Sequence, residues 1–245
     1  MYHFFAEHKN VFDDHIVIGG SDFNHIHNVL RMKAGEKVMI STGDNIDYSC
    51  ELAQYKEDTC CFKILKQNEK TNELPVRVTL YQGLPKGEKM ELLIQKCIEL
   101  GVTEIVPVSM KRCIMKLDTK KADRKIERWN TIAESAAKQS KRSIIPEVKP
   151  VMSYKLAVER AKEDGLIFVP YECADGMQKT RELLGSLKKG THISFFIGPE
   201  GGFDLDELEY AKEAGAEIIT LGRRILRTET AGLMLMSVLT YLYEE

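Results

Sequence analysis

Two different hydrophobic patterns divide the chain. In the first seventy residues, short runs that alternate apolar and polar residues predict strands at 37–41, 46–54 and 59–65, separated by turn sequences. One helix is predicted at 22–30, with Ser21 as its N-cap. This pattern is typical of a small β-barrel or sandwich built from hairpins.

After the polar run at 67–73, helical and strand patterns alternate. The apolar runs GLIFVP and ISFFIG lack polar alternation, which favours strands covered on both faces in a parallel sheet. We therefore predict two domains, at 1–72 and 73–245, the second of them α/β. Its predicted elements are strands at 76–82, 104–108, 166–170, 192–197 and 217–221, and helices at 88–100, 119–141, 153–164, 178–187, 204–214 and 229–243.

Composition narrows the class of protein. The 245 residues are 43% hydrophobic and 29% charged, and no run of eighteen apolar residues exists, so we expect no membrane segment. The start, MYHFFAEHKN, does not resemble a secretory signal, and we expect a cytoplasmic protein. The six cysteines show neither disulfide nor zinc spacing, so no metal is predicted. A net charge of -2 means that any nucleic-acid contact must be made by a local basic patch.

Several common ligand motifs are absent. The run GLPKGEK at 83–89 superficially resembles a phosphate loop, but its glycines are too close together and no Gly-Lys-Ser/Thr ends it. The sequence also lacks G-x-G-x-x-G, G-x-S-x-G and H-E-x-x-H. Nucleoside triphosphate, esterase and metalloprotease chemistry are therefore not supported, and a nicotinamide enzyme is only weakly supported.

Two loops with the same layout remain. IGPEGGF at 197–203 (the first loop) ends an apolar run, and LGRRILRTETA at 221–231 contains the second loop, 221–228. Each follows a predicted strand and precedes a helix, at the strand ends where open α/β sheets bind ligands. We expect positive φ angles and close ligand approach at the glycines of the first loop, and Thr228 to cap the last helix. Carboxylates at 204–207 argue against a phosphate ligand and leave an adenine or ribose as candidates.

These loops resemble the paired motifs of SPOUT-class methyltransferases, and specifically the RsmE family, which methylates N3 of a uridine in the decoding region of 16S ribosomal RNA. Further matches in family order are KCIELGVTEIVPV at 96–108, the RW pair at 128–129, AESAAKQSKR ending at Arg142, and HNVLRMKAGEKV near the start. The resemblance covers essentially the whole chain.

The resemblance implies a PUA-like β-barrel that binds RNA, followed by an α/β domain with a trefoil knot. It implies S-adenosyl-L-methionine as cofactor, 16S rRNA in the 30S subunit as partner, and a homodimer. The residues it places around the cofactor are Val169, Pro170, Gly198, Glu200, Gly201, Gly202, Leu221, Gly222, Ile225, Leu226 and Arg227.

Roles in the reaction follow as hypotheses. Methylation of uracil N3 needs either a base or a cationic environment that favours the anion of the ring. The candidates for the base are Glu200 and Glu229. The candidates for the cation are Arg142 and Arg227. N3 lies on the base-pairing edge, so the target must be unpaired. The residues expected to contact RNA phosphates are Arg31, Lys33, Lys138, Lys141 and Arg142.

One departure and two alternatives stay open. Family members commonly carry arginine near the initiator methionine, where this sequence has Tyr2 and His3. An alternative function is a non-catalytic rRNA-binding assembly factor, which predicts no affinity for a methyl donor. A nucleotide-dependent oxidoreductase predicts affinity for NAD or FAD instead.

Overall fold

The computed structural model describes residues 1–68, 72–172 and 176–244. These residues form two compact units. The first unit consists of Met1–Glu73 with Ala137–Ile145, and the second of Leu74–Ala136 with Pro146–Glu245. The polar run at 67–73, where we place the domain boundary, lies partly outside the described residues, and that boundary stays a prediction.

Twelve strands and seven α-helices lie within the described residues. The strands are β1 (Tyr2–Phe5), β2 (His15–Gly19), β3 (Lys37–Ser41), β4 (Asp47–Lys56), β5 (Thr59–Asn68), β6 (Arg77–Gly83), β7 (Glu104–Ser109), β8 (Glu147–Val148), β9 (Met152–Ser153), β10 (Leu166–Pro170), β11 (His192–Ile197) and β12 (Glu217–Ile219). The helices are α1 (Gly20–Asn24), α2 (Lys89–Glu99), α3 (Thr119–Ser140), α4 (Tyr154–Asp164), α5 (Met177–Gly185), α6 (Leu205–Glu213) and α7 (Thr228–Tyr243).

The first unit is built on a mostly antiparallel sheet of order β1-β3-β4-β5-β2. The predicted strands at 37–41, 46–54 and 59–65 are confirmed as β3, β4 and β5. Alternate residues of these strands, such as Val38, Leu52 and Phe62, are fully buried, as the period of two requires. Strands β1 and β2 are the two ends of this strand order. Strand β1 pairs in parallel with β3, and β2 pairs antiparallel with β5.

The predicted helix at 22–30 is confirmed only in part. It begins at Gly20, after an N-cap at Gly19 that makes no side-chain cap hydrogen bond. The prediction of Ser21 as the N-cap is therefore wrong, because the chain leaves the extended conformation two residues earlier. Its second half, His25–Leu30, is a π-helix that ends at Arg31 in the left-handed region, with a φ of 51°.

A buried polar cluster joins the segment Ala137–Ile145 to the sheet of the first unit. The Asp47 carboxylate accepts hydrogen bonds from the hydroxyls of Ser41 and Ser143, the latter at 2.6 Å. Because Ser41 donates to Asp47, the His3 Nε2 atom, 2.6 Å away, must donate to Ser41. All four side chains are buried.

We expect His3 to make stability depend on pH. Burial lowers the pKa of the His3 imidazole and outweighs the attraction of the Asp47 carboxylate. Unfolded histidines titrate near about 6.5, so the folded state loses stability as the pH falls below that value. The thermal midpoint of His3→Gln should therefore fall less than that of the wild type between about pH 7.5 and 5.5. Equal slopes would contradict this assignment, and His25→Gln, at an exposed site, is the control.

The second unit is built on a sheet of order β12-β10-β11-β6-β7-β8, in which all five pairs of neighbouring strands run parallel. Short strand β9 also pairs with β7. The predicted parallel sheet is thus confirmed, and its central strands are buried along almost their whole length, as in Ile193, Phe195 and Phe196.

The path of the chain after β12 brings the last helix back to the sheet centre. Strand β12 lies at one edge of the sheet, whereas α7 packs against α2 and β11. The connection between them therefore returns across the carboxyl ends of the strands. This path is compatible with a trefoil knot, which stays a prediction.

Cysteine and membrane predictions concern the whole chain. The described cysteines are free, and four of them are buried; Cys173 lies outside the described residues. Among the described residues, no helix combines the length and apolar character that crossing a membrane requires.

Candidate functional site

A cavity of about 470 Å³ lies in the second unit, at the carboxyl ends of β10, β11 and β12. Its lining combines both loops with side chains from α2 and from the connection after β7. The residues around it are Lys89, Arg112, 170–172, 197–203, 220–222, 224–228 and Ala231. The volume is within the range of about 300–1,000 Å³ usual for small-molecule sites.

The predicted cofactor residues meet in this cavity, with one exception. Val169 is fully buried inside β10 and is not part of the lining, whereas its neighbour Pro170 is. The others line the wall, including Ile225, whose side chain is 83% exposed. Their role in cofactor binding stays a prediction.

The glycines of the first loop serve two purposes. Only Gly202 has the predicted positive φ, at 67°, and its N–H closes a turn on the Pro199 carbonyl at 2.9 Å. Gly198 and Gly201 are needed for close packing instead. A Cβ on Gly198 would lie 3.1 Å from the carbonyl carbon of Gly202, and one on Gly201 would lie 3.0 Å from the Cβ of Arg112.

Thr228 joins the two loops. Its hydroxyl donates to the Gly198 carbonyl at 2.6 Å and accepts from the Gln82 side-chain amide at 2.7 Å. The N-cap of α7 is Arg227, so the prediction that Thr228 caps this helix is wrong. Thr228 is instead the first helical residue, because its buried hydroxyl points back to the first loop.

As predicted, carboxylates occupy the N-terminal end of α6. Asp204 caps the helix, and the Glu207 carboxylate accepts a hydrogen bond from the Asp204 N–H, which completes a capping box. Glu207 also accepts the Lys111 N–H at 2.8 Å. The N–H groups that would bind a phosphate here are therefore already paired with carboxylates.

A cluster of one ammonium and two carboxylates lies beside the loops. Lys89 Nζ is 2.7 Å from Glu200 and 3.9 Å from Glu229. Burial acts to raise the pKa of Glu200, but hydrogen bonds from Lys89 and from backbone N–H groups outweigh it and hold this pKa below its ordinary value. Glu229 is not part of the cavity lining.

Sequence reasoning overlooked Lys89 and Arg112. Lys89 is the last residue of the GLPKGEK run, which in the sequence resembles only an incomplete phosphate loop. Arg112 donates to the Gly201 carbonyl at 3.2 Å, although 89 residues separate the two in sequence. No local sequence pattern predicts the contacts of either residue.

The predicted RNA-binding residues all belong to the first unit. Arg31, Lys33 and Lys141 are exposed, whereas Lys138 pairs with Asp22 at 2.9 Å. Within the described chain, no group of three or more His, Cys, Asp or Glu side chains is arranged to hold a metal ion.

Arg142 occupies a different environment from the other predicted cations. Its guanidinium is buried and pairs with the Glu73 carboxylate, with Nε at 2.9 Å from both carboxylate oxygens. The Ser143 N–H donates to the same carboxylate at 2.9 Å. Arg142 therefore has a structural partner within the first unit, and its catalytic role stays a prediction.

Comparison with known proteins identifies a matching family model for a large part of each unit. The model of an RNA methyltransferase domain matches residues 72–240, and the model of an RNA methyltransferase PUA domain matches residues 18–65. The chain is 37% identical over 227 residues to ribosomal RNA small subunit methyltransferase E of Bacillus subtilis, covering 91% of this chain and 89% of that protein. It is 33% identical to the protein of that name from Mesomycoplasma hyopneumoniae, covering 97% and 98% of the two chains.

A solved structure supports the same relationship. Ribosomal RNA small subunit methyltransferase E from Neisseria gonorrhoeae, bound to S-adenosyl methionine, superposes with a TM-score of 0.83. The two sequences are 31% identical, and the match covers 99% of this chain and 98% of that one.

Proposed function

Because the chain belongs to the family of ribosomal RNA small subunit methyltransferases E, we propose that it methylates N3 of a uridine in the decoding region of 16S rRNA. The chain is an S-adenosylmethionine-dependent rRNA methyltransferase by this membership. The nucleotide and the nitrogen are our proposal. The observation that carries it is the meeting of the two loops in one cavity at the strand ends.

The cavity fits a nucleoside-like methyl donor. Gly202 and Gly222, with φ angles of 67° and 110°, have open space where a Cβ would stand, so a ligand can approach their backbone. Leu221, Ile225 and Leu226 supply apolar surface for an adenine ring, and backbone N–H and C=O groups can hydrogen-bond its edge. When bound, the donor supplies a methyl group on a positively charged sulfur.

The chain's own residues must handle the proton of N3. A carboxylate whose pKa is held low is a weak proton acceptor, which argues against Glu200 as the general base. Arg227 lies at the cavity wall and is exposed, so its guanidinium can favour the uracil anion that forms when the N3 proton passes to water. We propose this cationic assistance as the main contribution of the second loop.

RNA binding is proposed for the first unit. Arg31, Lys33 and Lys141 present exposed cations there, and phosphate contacts by such residues make affinity fall with salt. Since N3 belongs to the pairing edge of uracil, the target nucleotide has to be unpaired or flipped out.

We also propose a cytoplasmic homodimer in which two copies cover apolar surface on α2 and α7. These helices pack together, and Leu92, Tyr241 and Leu242 on them are 47%, 89% and 43% exposed. Such exposed large side chains are typical of a protein-protein contact. Light scattering coupled to size-exclusion chromatography measures the molar mass in solution, and we expect the mass of two copies.

The decisive experiment is methyl transfer to 30S subunits that lack the modification. We expect one labelled uridine in 16S rRNA, identified as 3-methyluridine by nucleoside mass spectrometry, and none with 50S subunits as the control. Label on another base or atom would contradict the proposal.

Thermal shift separates the alternatives. S-adenosylhomocysteine at about a hundred times its dissociation constant should add about 2.7 kcal/mol of stability. A non-catalytic assembly factor would show no such shift, and an oxidoreductase would respond to NAD or FAD instead.

A further inference from the structure

We propose that Lys89 is a positioning residue that holds the two loops of the cavity together through the carboxylates of Glu200 and Glu229. The inference rests on the proposed function, because it assigns how this chain keeps its donor cavity in shape. It concerns a residue outside both loops, on the first turn of α2.

The geometry places one ammonium among three elements. Lys89 Nζ is 2.7 Å from Glu200 Oε1 in the first loop and 3.9 Å from Glu229 Oε2 in the first turn of α7. The backbone N–H of Lys86 adds contacts of 3.1 and 3.3 Å to the two oxygens of Glu200. The start of α2 thus fixes the first loop and reaches toward the end of the second.

The local charge balance makes the ammonium necessary. Glu229 Oε2 is buried and, within the described residues, has no hydrogen-bond partner, so the charge of Lys89 is its nearest compensation. Without that ammonium, two carboxylates would face each other across the junction of the loops, and like charges in a partly buried site repel. The first loop would then separate from α7 and the cavity would widen.

The cluster differs from an ordinary surface ion pair. The exposed fractions of the Lys89, Glu200 and Glu229 side chains are 32%, 26% and 14%, so solvent screens them only in part. Exposed pairs contribute little to stability, whereas removing one partner of a more buried pair leaves a charge without compensation and costs more. Other charged groups near Glu200 are Arg112, which donates to the Gly201 carbonyl, and Asp204, which lies 3.8 Å from Arg112 Nε.

The test compares binding of S-adenosylhomocysteine by calorimetry in four variants of the full chain. We expect Lys89→Met to weaken binding about tenfold, which corresponds to about 1.4 kcal/mol. Lys89→Arg should retain most of the affinity. Lys89→Met combined with Glu229→Gln should bind more tightly than Lys89→Met alone, because the second change removes one of the two repelling charges.

Lys96→Met is the matched control. It removes an ammonium from the same helix, but its partner is Glu99 on that helix and it does not line the cavity. Affinity within twofold of the wild type in Lys89→Met, or no recovery in the double variant, would overturn the assignment of Lys89. Failure of the wild type itself to bind S-adenosylhomocysteine would instead contradict the proposed function.

Discussion

Gly83→Ala is expected to weaken binding of S-adenosylhomocysteine by about five- to 150-fold while leaving the first unit folded. Gly83 ends β6 directly beneath the first loop. An alanine Cβ there would lie 2.7 Å from Pro199 Cδ, 2.8 Å from Pro199 N and 2.9 Å from Met110 Sδ. Because the Pro199 nitrogen is backbone, it can move only if the whole first loop moves. Such overpacking commonly costs about 1–3 kcal/mol, and here the strain falls on the cavity wall.

Calorimetric titration measures the loss, and circular dichroism monitors folding. Gly185→Ala is the matched control, since nothing lies within 4 Å of a Cβ at that position. Wild-type affinity in Gly83→Ala would mean that the first loop adapts freely, and would remove close packing at β6 as a condition for the cavity.

Arg142→Ala is expected to destabilise the chain more than any surface substitution. The change leaves the Glu73 carboxylate without its guanidinium partner, and only 10% of that side chain is exposed. Breaking one side of a buried ion pair costs about 3–5 kcal/mol. Denaturant unfolding followed by circular dichroism measures the effect, and Lys33→Ala, an exposed cation of the same unit, should change little.

The same variant separates two roles for Arg142. If turnover on 30S subunits and the free energy of unfolding fall together, the residue acts through the structure of the first unit. If turnover falls by orders of magnitude with unchanged unfolding and unchanged donor affinity, the catalytic hypothesis is supported and the structural interpretation fails.

The regular elements of the second unit were predictable because their burial is local in sequence. The runs GLIFVP and ISFFIG are continuous and apolar, and they form β10 and β11 between covered faces. The two loops were predictable for a related reason, because each follows a predicted strand, and open α/β sheets bind ligands at the carboxyl ends of their strands. Of the residues predicted around the cofactor, all but Val169 line the cavity, whereas the lining residues Lys89 and Arg112 have no such signal in the sequence.

The remaining features depend on contacts distant in sequence. Strand β1 pairs with β3 across more than thirty residues, and nothing in YHFF specifies that partner. Lys89 meets Glu200 only because α2 begins beside the first loop. The sequence predicts that Thr228 caps its own helix, whereas its hydroxyl contacts Gln82 and Gly198. Hydrophobic periodicity contains no information about such pairs.

The first unit is formed by two segments that lie far apart in the sequence, and this separation sets an order for folding during synthesis. Residues 1–73 emerge from the ribosome early, but the partners of Asp47 and Glu73 on Ala137–Ile145 are made only after more than sixty further residues. Until then these carboxylates have to remain hydrated, so the nascent barrel cannot reach its final packing. A fragment that ends at residue 72 lacks both Glu73 and this segment, so we expect that it does not fold on its own.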